Sequence, residues 1–191
     1  MAEDLDGRIE MIVDGGPVEI GVESTILDMT VTPPMILRPG AVTREMLEEL
    51  IGEVAVDQTL LKADSRTAPK APGMKYRHYA PKANLVVVEG EVEKVTAWIR
   101  ETAATKQQEG KRVGIIATEE TKESYPDGDV KVAGTRADEA TIASSLYGIL
   151  REFDGDGVDE IYSEAFASGG IGAAVMNRLL KAAGHQVIRI T

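Results

Sequence analysis

The second half of the chain alternates continuous apolar runs with amphipathic stretches. Leu85–Val88 and Val113–Ala117 contain no polar side chain, and such runs predict strands buried on both faces. Between them, a spacing of three and four predicts a helix with an apolar stripe at Val92, Val95, Ile99 and Ala103. The alternation continues with predicted strands at 130–133, 160–163 and 187–190 and predicted helices at 142–153 and 174–183. This pattern predicts an α/β domain with a doubly wound, mostly parallel sheet.

The first half has a different pattern, in which short apolar segments are separated by turns. We predict strands at 9–13, 19–22, 25–29 and 35–37. One helix is predicted, with Thr43 as its N-cap and Gly52 just after its last turn. A single helix and short strands do not close a core of the doubly wound kind, so this half is expected to depend on other parts of the structure.

The two halves are joined by a polar, proline-containing stretch that carries unusual chemistry. It includes Pro72-Gly73-Met74-Lys75-Tyr76-Arg77-His78-Tyr79-Ala80-Pro81. Prolines disfavour helix and suit a semi-extended linker, which is the simpler interpretation from residue types alone. The alternative is a functional lid, because Arg and Tyr at this density suit an anionic, planar ligand.

Composition and charge exclude several classes of function. The 191 residues include no cysteine and two histidines, so Cys-based and multi-histidine metal sites are excluded. A net charge of −11 repels phosphate backbones over most of the surface, and we expect no direct tRNA binding. The N-terminus has no long apolar run. We therefore expect a cytoplasmic protein without a membrane anchor.

Three short motifs offer candidate ligand contacts. Ser24 and Thr25 place adjacent hydroxyls between strand segments, where they bind a ligand anion or satisfy neighbouring backbone. Arg38 stands at a strand end before Pro39-Gly40, which suits either bidentate phosphate recognition or an ordinary surface position. The glycines of 169–172 precede a helix and offer N–H groups to an anion, although such a turn is more often a packing feature.

Taken together, these motifs resemble the Sua5 family of the Sua5/YciO/YrdC group. The resemblance covers essentially the whole chain and is carried by 21–28, 36–40, 72–81, 172–178 and 181–183. It implies a Rossmann-like Sua5 domain at residues 85–191. It further implies that the C-terminal remnant of a YrdC-like catalytic domain occupies 1–61, and that a linker serving as an active-site lid occupies 62–84.

The resemblance implies an L-threonylcarbamoyladenylate synthase, a nucleotidyltransferase that serves threonylcarbamoyladenosine formation in tRNA. Its substrates would be L-threonine, bicarbonate and ATP, with Mg²⁺ held largely by phosphates, and its product would pass to tRNA-modifying machinery. By resemblance, Ser24 and Thr25 would contact threonine or nucleotide, and Arg38 would bind an ATP phosphate. The lid would contribute further contacts through Lys75, Arg77, His78 and Tyr79.

Two motifs of this family are missing from the sequence. Neither the Lys-Arg-x-x-x-Lys-Pro motif nor the Ser-Ala-Asn motif of the YrdC-like domain occurs. We therefore expect a truncated enzyme, inactive alone, with a poorly folded first block. The alternative hypothesis is a non-catalytic, Rossmann-like regulatory or interaction module that acts with a separate YrdC-like domain.

Overall fold

A small mixed sheet occupies the first part of the chain. The structure, a computed structural model, describes residues 5–16, 18–57, 60 and 80–191. The small sheet has the order β1-β2-β3, with β1 antiparallel and β3 parallel to β2. Its strands are β1 (Ile26–Asp28), β2 (Met35–Arg38) and β3 (Ala55–Val56).

Helix α1 (Arg44–Ile51) follows β2 and matches the predicted caps. The Thr43 hydroxyl accepts a hydrogen bond from the Met46 N–H at 3.4 Å, and Gly52 ends the helix with a φ of 80°. None of the helix residues is buried, and the Leu50 side chain is 83% exposed. The apolar stripe that predicted α1 therefore has no core beneath it in the described part of the chain.

Two predicted strands of the first half are wrong. Residues 9–13 and 19–22 are described but belong to no strand. Their alternation suggested pairing, yet no other described strand lies beside them to form a ladder. They are irregular instead and leave large apolar side chains in solvent, among them Met11, Val13, Val18 and Ile20.

The second half forms a five-stranded sheet in which every pairing is parallel, as the apolar runs predict. Its strand order is β6-β5-β7-β4-β8. The strands are β4 (Asn84–Glu89), β5 (Val113–Ala117), β6 (Asp129–Val132), β7 (Glu160–Glu164) and β8 (Val187–Arg189). The helices are α2 (Val92–Gln108), α3 (Glu139–Asp156) and α4 (Gly172–Ala182), with a 3₁₀ turn at Lys122–Ser124.

The helices divide between the two faces of this sheet, which makes the fold doubly wound. Leu85 and Val87 of β4 face the core beneath α3 and α4, whereas Val86 and Val88 face the core beneath α2. This is the two-residue period of a strand with both faces covered. Val22 of the first half also packs against the α3–α4 core, so the two halves of the chain are in contact. No helix among the described residues is long and apolar enough to cross a membrane.

Candidate functional site

Ser24, Thr25 and Arg38 lie together at the end of β2. Arg38 donates from Nε to the Ser24 carbonyl oxygen at 2.9 Å and from Nη2 to the Ser24 hydroxyl at 3.1 Å. The Thr25 hydroxyl donates to the Val42 carbonyl oxygen at 2.6 Å. A guanidinium has five N–H donors, so Arg38 can hold Ser24 and an anion at the same time. Ser24 itself is exposed, and the pair is accessible to a ligand.

The Pro39-Gly40 turn packs against the backbone of the segment that carries Ser24 and Thr25. A Cβ atom at Gly40 would lie 2.3 Å from the Glu23 carbonyl oxygen and 2.4 Å from the Thr25 nitrogen. Both atoms belong to backbone and cannot move aside as a flexible side chain can. The turn that carries Arg38 therefore packs directly on the 23–25 segment because residue 40 has no side chain.

Helix α4 approaches the same segment from the other side. The Arg178 guanidinium forms an ion pair with the Glu23 carboxylate, and its side chain is 8% exposed. Gly21 packs on the backbone of α3, where an added Cβ would lie 2.2 Å from the Ala143 carbonyl oxygen. Arg178 lies in the 172–178 block but was not predicted as a site residue, because its partner Glu23 is far away along the chain and leaves no local pattern.

A cavity of about 350 Å³ separates the corner after β2 from α4. Its wall on one side includes Pro39, Gly40 and Thr43, and on the other side Ala173 and Asn177 of α4. The lining is mainly apolar. The turn that follows Arg38 and the last helix therefore border one cleft between the two halves of the chain.

The predicted lid residues Lys75, Arg77, His78 and Tyr79 lie outside the described residues. Leu60, the last described residue before them, lines the cavity. The assignment of these four residues to the site stays a prediction.

The glycine-rich turn before α4 already contacts a carboxylate of the protein itself, that of Glu139. The Gly172 N–H donates to the Glu139 carboxylate at 2.9 Å. A Cβ at Gly172 would lie 2.7 Å from both carboxylate oxygens, so glycine is what allows Glu139 to approach. An acidic group at a helix N-terminus is stabilised by the helix dipole. This supports the packing interpretation of the 169–172 motif over a ligand-binding one.

The usual ligand crevice of a doubly wound sheet lies where neighbouring strands connect in opposite directions. In this sheet the crevice lies between the neighbouring strands β5 and β7, because β5 connects to β6 on one side and β7 connects to β8 on the other. The Glu164 carboxylate is fully buried there, with the Tyr125 hydroxyl donating at 2.7 Å and Arg136 Nη2 donating at 2.5 Å. Burial, with the charge of Glu164, raises the pKa of Tyr125. The protein's own side chains fill this crevice.

Glu120 is hydrogen-bonded to the loop between β6 and α3, which also carries Arg136. The Thr135 hydroxyl and, less strongly, the Arg136 backbone N–H donate to its carboxylate, which lowers the pKa of Glu120 to about 2. Hydrogen bonds to the charged form stabilise that form over the protonated one. The loop between β6 and α3 is therefore fixed from both of its sides.

Fold and site together define a class: an α/β protein with a doubly wound parallel sheet, a short mixed sheet and a mainly apolar cleft between the two halves of the chain. The chain belongs to the family described as the C-terminal domain of threonylcarbamoyl-AMP synthase, whose model matches residues 42–184. That match begins just after the Pro39-Gly40 turn and covers residues of both halves, from α1 to the end of α4.

Two curated threonylcarbamoyl-AMP synthases are similar to this chain over essentially its whole length. The threonylcarbamoyl-AMP synthase of Bacillus subtilis is 49% identical over 189 residues, and that of Pyrococcus abyssi is 46% identical over 190 residues. These matches cover 99% and 100% of this chain but 53% and 54% of the relatives. The chain thus spans about half the length of the curated relatives it matches.

A solved structure extends this similarity to the fold. The crystal structure of P. abyssi Sua5 complexed with L-threonine superimposes with a TM-score of 0.88 at 44% identity. The superposition covers 100% of this chain and 54% of that one. The doubly wound α/β fold and the Sua5 resemblance predicted from the sequence are confirmed.

Proposed function

We propose that this chain forms part of a threonylcarbamoyl-AMP synthase and that Ser24, Thr25 and Arg38 bind its substrates. The observation that carries the proposal is the Arg38 fork, which spans the carbonyl and hydroxyl of Ser24 at an accessible strand end. A guanidinium held in this way is suited to bidentate recognition of phosphate. The similarity to threonylcarbamoyl-AMP synthases supports this proposal of the reaction in which that recognition is used.

In the proposed reaction, the threonine amine attacks the bicarbonate carbon, a C–N bond forms, and water leaves to give a carbamate. A carbamate oxygen then attacks the α-phosphorus of ATP, and the bond to the β-phosphate oxygen breaks with release of pyrophosphate. The protein's part is to align these groups and to neutralise the phosphate charge. Arg38 binds phosphate, while Ser24 and Thr25 contact threonine or nucleotide. The product is a mixed anhydride, so the segment with Lys75, Arg77, His78 and Tyr79 closes over it to exclude water.

Among the described residues, no group of three or more His, Asp or Glu side chains is placed to hold a Mg²⁺ ion. Magnesium prefers oxygen ligands, above all carboxylates and phosphates. The carboxylate beside Ser24 belongs to Glu23, and it is already paired with Arg178. Any Mg²⁺ in the reaction would therefore be held by the phosphates of ATP rather than by these residues.

The exposed apolar residues of the first half support a role within a larger enzyme. Met11 is 77% exposed and Val13 is 86% exposed, in a segment without a strand partner in the described part of the chain. An exposed apolar patch is typical of a surface that another part of a protein covers. We propose that a YrdC-like catalytic portion covers it, as the resemblance implies, and that this portion carries the cations missing here.

The test is threonine-dependent pyrophosphate release from ATP in the presence of bicarbonate and Mg²⁺. We expect none from the chain alone, and release when it is mixed with the part of the B. subtilis relative that it does not match. Arg38→Ala should reduce that release by about tenfold or more, because a charge-assisted phosphate contact is lost. Arg189→Ala removes an equal charge from an exposed residue of β8 and is the matched control. Equal losses in the two variants would contradict the proposal.

A second candidate function is favoured by the filled crevice. Because Arg136, Glu164 and Tyr125 occupy the position where doubly wound domains bind ligands, the five-stranded sheet and its helices suit an interaction or regulatory role. The discriminating observation is binding. A chain that binds its YrdC-like counterpart, but whose Arg38→Ala variant supports full synthase activity, would be an interaction module.

A further inference from the structure

The segment that carries Ser24 is held between the two halves of the chain. On the side of the small sheet, Arg38 donates to the carbonyl oxygen and to the hydroxyl of Ser24. On the side of the large sheet, Val22 packs against the α3–α4 core, and a Cβ atom at Gly21 would lie 2.2 Å from the Ala143 carbonyl oxygen of α3. The position of Ser24 therefore depends on contacts with both halves.

The charged contact of this junction is the ion pair between Glu23 and Arg178 of α4. The Arg178 side chain is 8% exposed, and its guanidinium carbon lies 6.0 Å from the centre of the Tyr147 ring of α3. A charge buried to this extent is costly unless it is paired. Glu23 supplies a carboxylate partner, so its side chain is held against α4 of the doubly wound domain.

This ion pair restrains Ser24 because Glu23 is the residue directly before it. The contact of Val22 with the α3–α4 core also joins the two halves, but the burial of apolar surface has no preferred direction. A guanidinium–carboxylate pair, by contrast, fixes the orientation of both groups. The Glu23 carbonyl oxygen is in turn packed against Gly40, where an added Cβ atom would lie 2.3 Å away. Residue 23 is thus fixed through its side chain and through its backbone.

We infer that Arg178 is a positioning residue for the proposed reaction, and that its ion pair with Glu23 holds Ser24 in the orientation in which Ser24 binds substrate. The inference rests on the proposed function and deepens it, because it gives the doubly wound domain a part in substrate binding. Arg178 acts through Glu23 and Ser24 and not by touching the substrate. The domain supplies a support whose sheet is covered on both faces.

The test measures kcat and KM for L-threonine and for ATP in the mixture with the unmatched part of the B. subtilis relative. Ser24→Ala identifies the substrate that Ser24 contacts, as the one whose KM it raises. Arg178→Met removes the charge, and it should raise the KM of that same substrate and lower its kcat/KM by about tenfold or more, because a small misplacement of a substrate-binding group is costly. Arg178→Lys, which keeps the charge, should recover part of the loss.

A double variant distinguishes positioning from general support of the structure. If Arg178 acts through Ser24, then Arg178→Met combined with Ser24→Ala should be nearly as active as Ser24→Ala alone. Non-additive effects of this kind are expected for residues that form one chain of contacts. A full additional loss in the double variant would overturn the inference, because Arg178 would then support activity independently of Ser24.

Glu23→Gln protects the test against a folding defect in Arg178→Met. Glu23 is 36% exposed, and the glutamine amide oxygen can still accept a hydrogen bond from Arg178. This variant should raise the KM of the same substrate, by less than Arg178→Met does. Hydrogen exchange gives a readout without substrate, since the peptide covering 21–28 should exchange faster in both variants than in wild type. Unchanged exchange and unchanged KM in Glu23→Gln would overturn the inference.

The matched control is Arg189→Met, which removes the same charge from an exposed ion pair with Glu89 on the edge strand β8. It should leave both KM values unchanged. An active mixture that loses activity with Arg38→Ala, but has the same KM values with Arg178→Met as with Arg189→Met, would overturn the inference and leave the proposed function standing. A wild-type mixture that releases no pyrophosphate would overturn both.

Discussion

Gly40 determines how closely the Arg38 corner can approach the 23–25 segment. We predict that Gly40→Ala destabilises the protein by about 1–3 kcal/mol, the usual cost of forcing an extra atom into a packed site. The reason is that the new Cβ would meet backbone atoms at 2.3 and 2.4 Å. Urea unfolding of both proteins measures the difference in the free energy of unfolding.

The control for this change is Gly155→Ala in the last turn of α3. Nothing lies within 4 Å of a Cβ built there. Alanine is the better helix former, so this variant should be neutral or stabilised by up to about 1 kcal/mol. A Gly40→Ala protein as stable as the Gly155→Ala protein would contradict the proposed close approach.

Glu120 gives the protein a defined sensitivity to acid. Its pKa is lowered from 4.5 to about 2 in the folded chain, chiefly by the Thr135 hydroxyl. A depressed carboxyl pKa contributes stability above the unfolded value, and that stability is lost as the pH falls from about 4.5 to about 2. The contribution is at most about 1 kcal/mol, because the side chain is exposed to solvent.

The Glu120→Gln variant tests this linkage. Its stability relative to wild type should be lowest near neutral pH, and the difference should shrink as the pH falls through that range. Urea midpoints at neutral and acidic pH measure the effect. A constant difference between the two proteins at every pH would show that the Glu120 charge does not matter.

Among individual residues, the sequence predicted Ser24, Thr25 and Arg38 as candidate ligand contacts, because they lie beside turns and in short motifs. The structure brings these three together. The ion pair of Arg178 with Glu23 and the contact of Glu139 with Gly172 were not predicted, because the partners are distant along the chain. A helical arginine or lysine has the same local pattern whether it faces solvent or a cleft, and only the packing of α4 distinguishes the two.

Among the elements, the stability of the carboxyl end of β7 depends on the loop between β6 and α3. Glu164 is fully buried and Arg136 supplies its cation at 2.5 Å. Arg136→Met should therefore cost about 3–5 kcal/mol, because it leaves a buried carboxylate without a counter-charge. Combining it with Glu164→Gln should recover much of that loss, since the amide is neutral. Stability within about 1 kcal/mol of wild type for the single variant would contradict this.

Helix and strand positions in the second half were predictable because burial on both faces leaves continuous apolar runs and clear helical stripes. In the first half the same approach failed at 9–13 and 19–22. Alternation reports that a segment has an apolar side, but a strand also needs a neighbour with which to pair. The strand order was not predictable either, since it depends on which strands meet and not on their composition.

For the whole molecule, we predict unequal local stability. The three-stranded sheet consists of strands of three, four and two residues, and α1 above it buries nothing. The five-stranded sheet has its central strands β7 and β4 covered on both faces. Amides of β4 and β7 should exchange with solvent more slowly than those of β1 and β2, by roughly a hundredfold or more.

Hydrogen exchange followed by mass spectrometry measures this difference directly. Peptides from α2, which covers the large sheet, serve as an internal reference for well-protected helix. Equal protection of the two sheets would mean that contacts between the halves, such as Val22 on the α3–α4 core, make them one cooperative unit. The division at 1–61, 62–84 and 85–191 would then not correspond to folding units.

The strand order also constrains how the chain is made on the ribosome. β7 is the fourth strand of the five-stranded sheet in chain order, yet it lies between β4 and β5. When only β4, α2, β5 and β6 have emerged from the exit tunnel, β4 and β5 lack the strand that joins them. The two-sided sheet can therefore close only after Glu164 has been synthesised, and a ribosome that stalls earlier presents unpaired, apolar strand edges to chaperones.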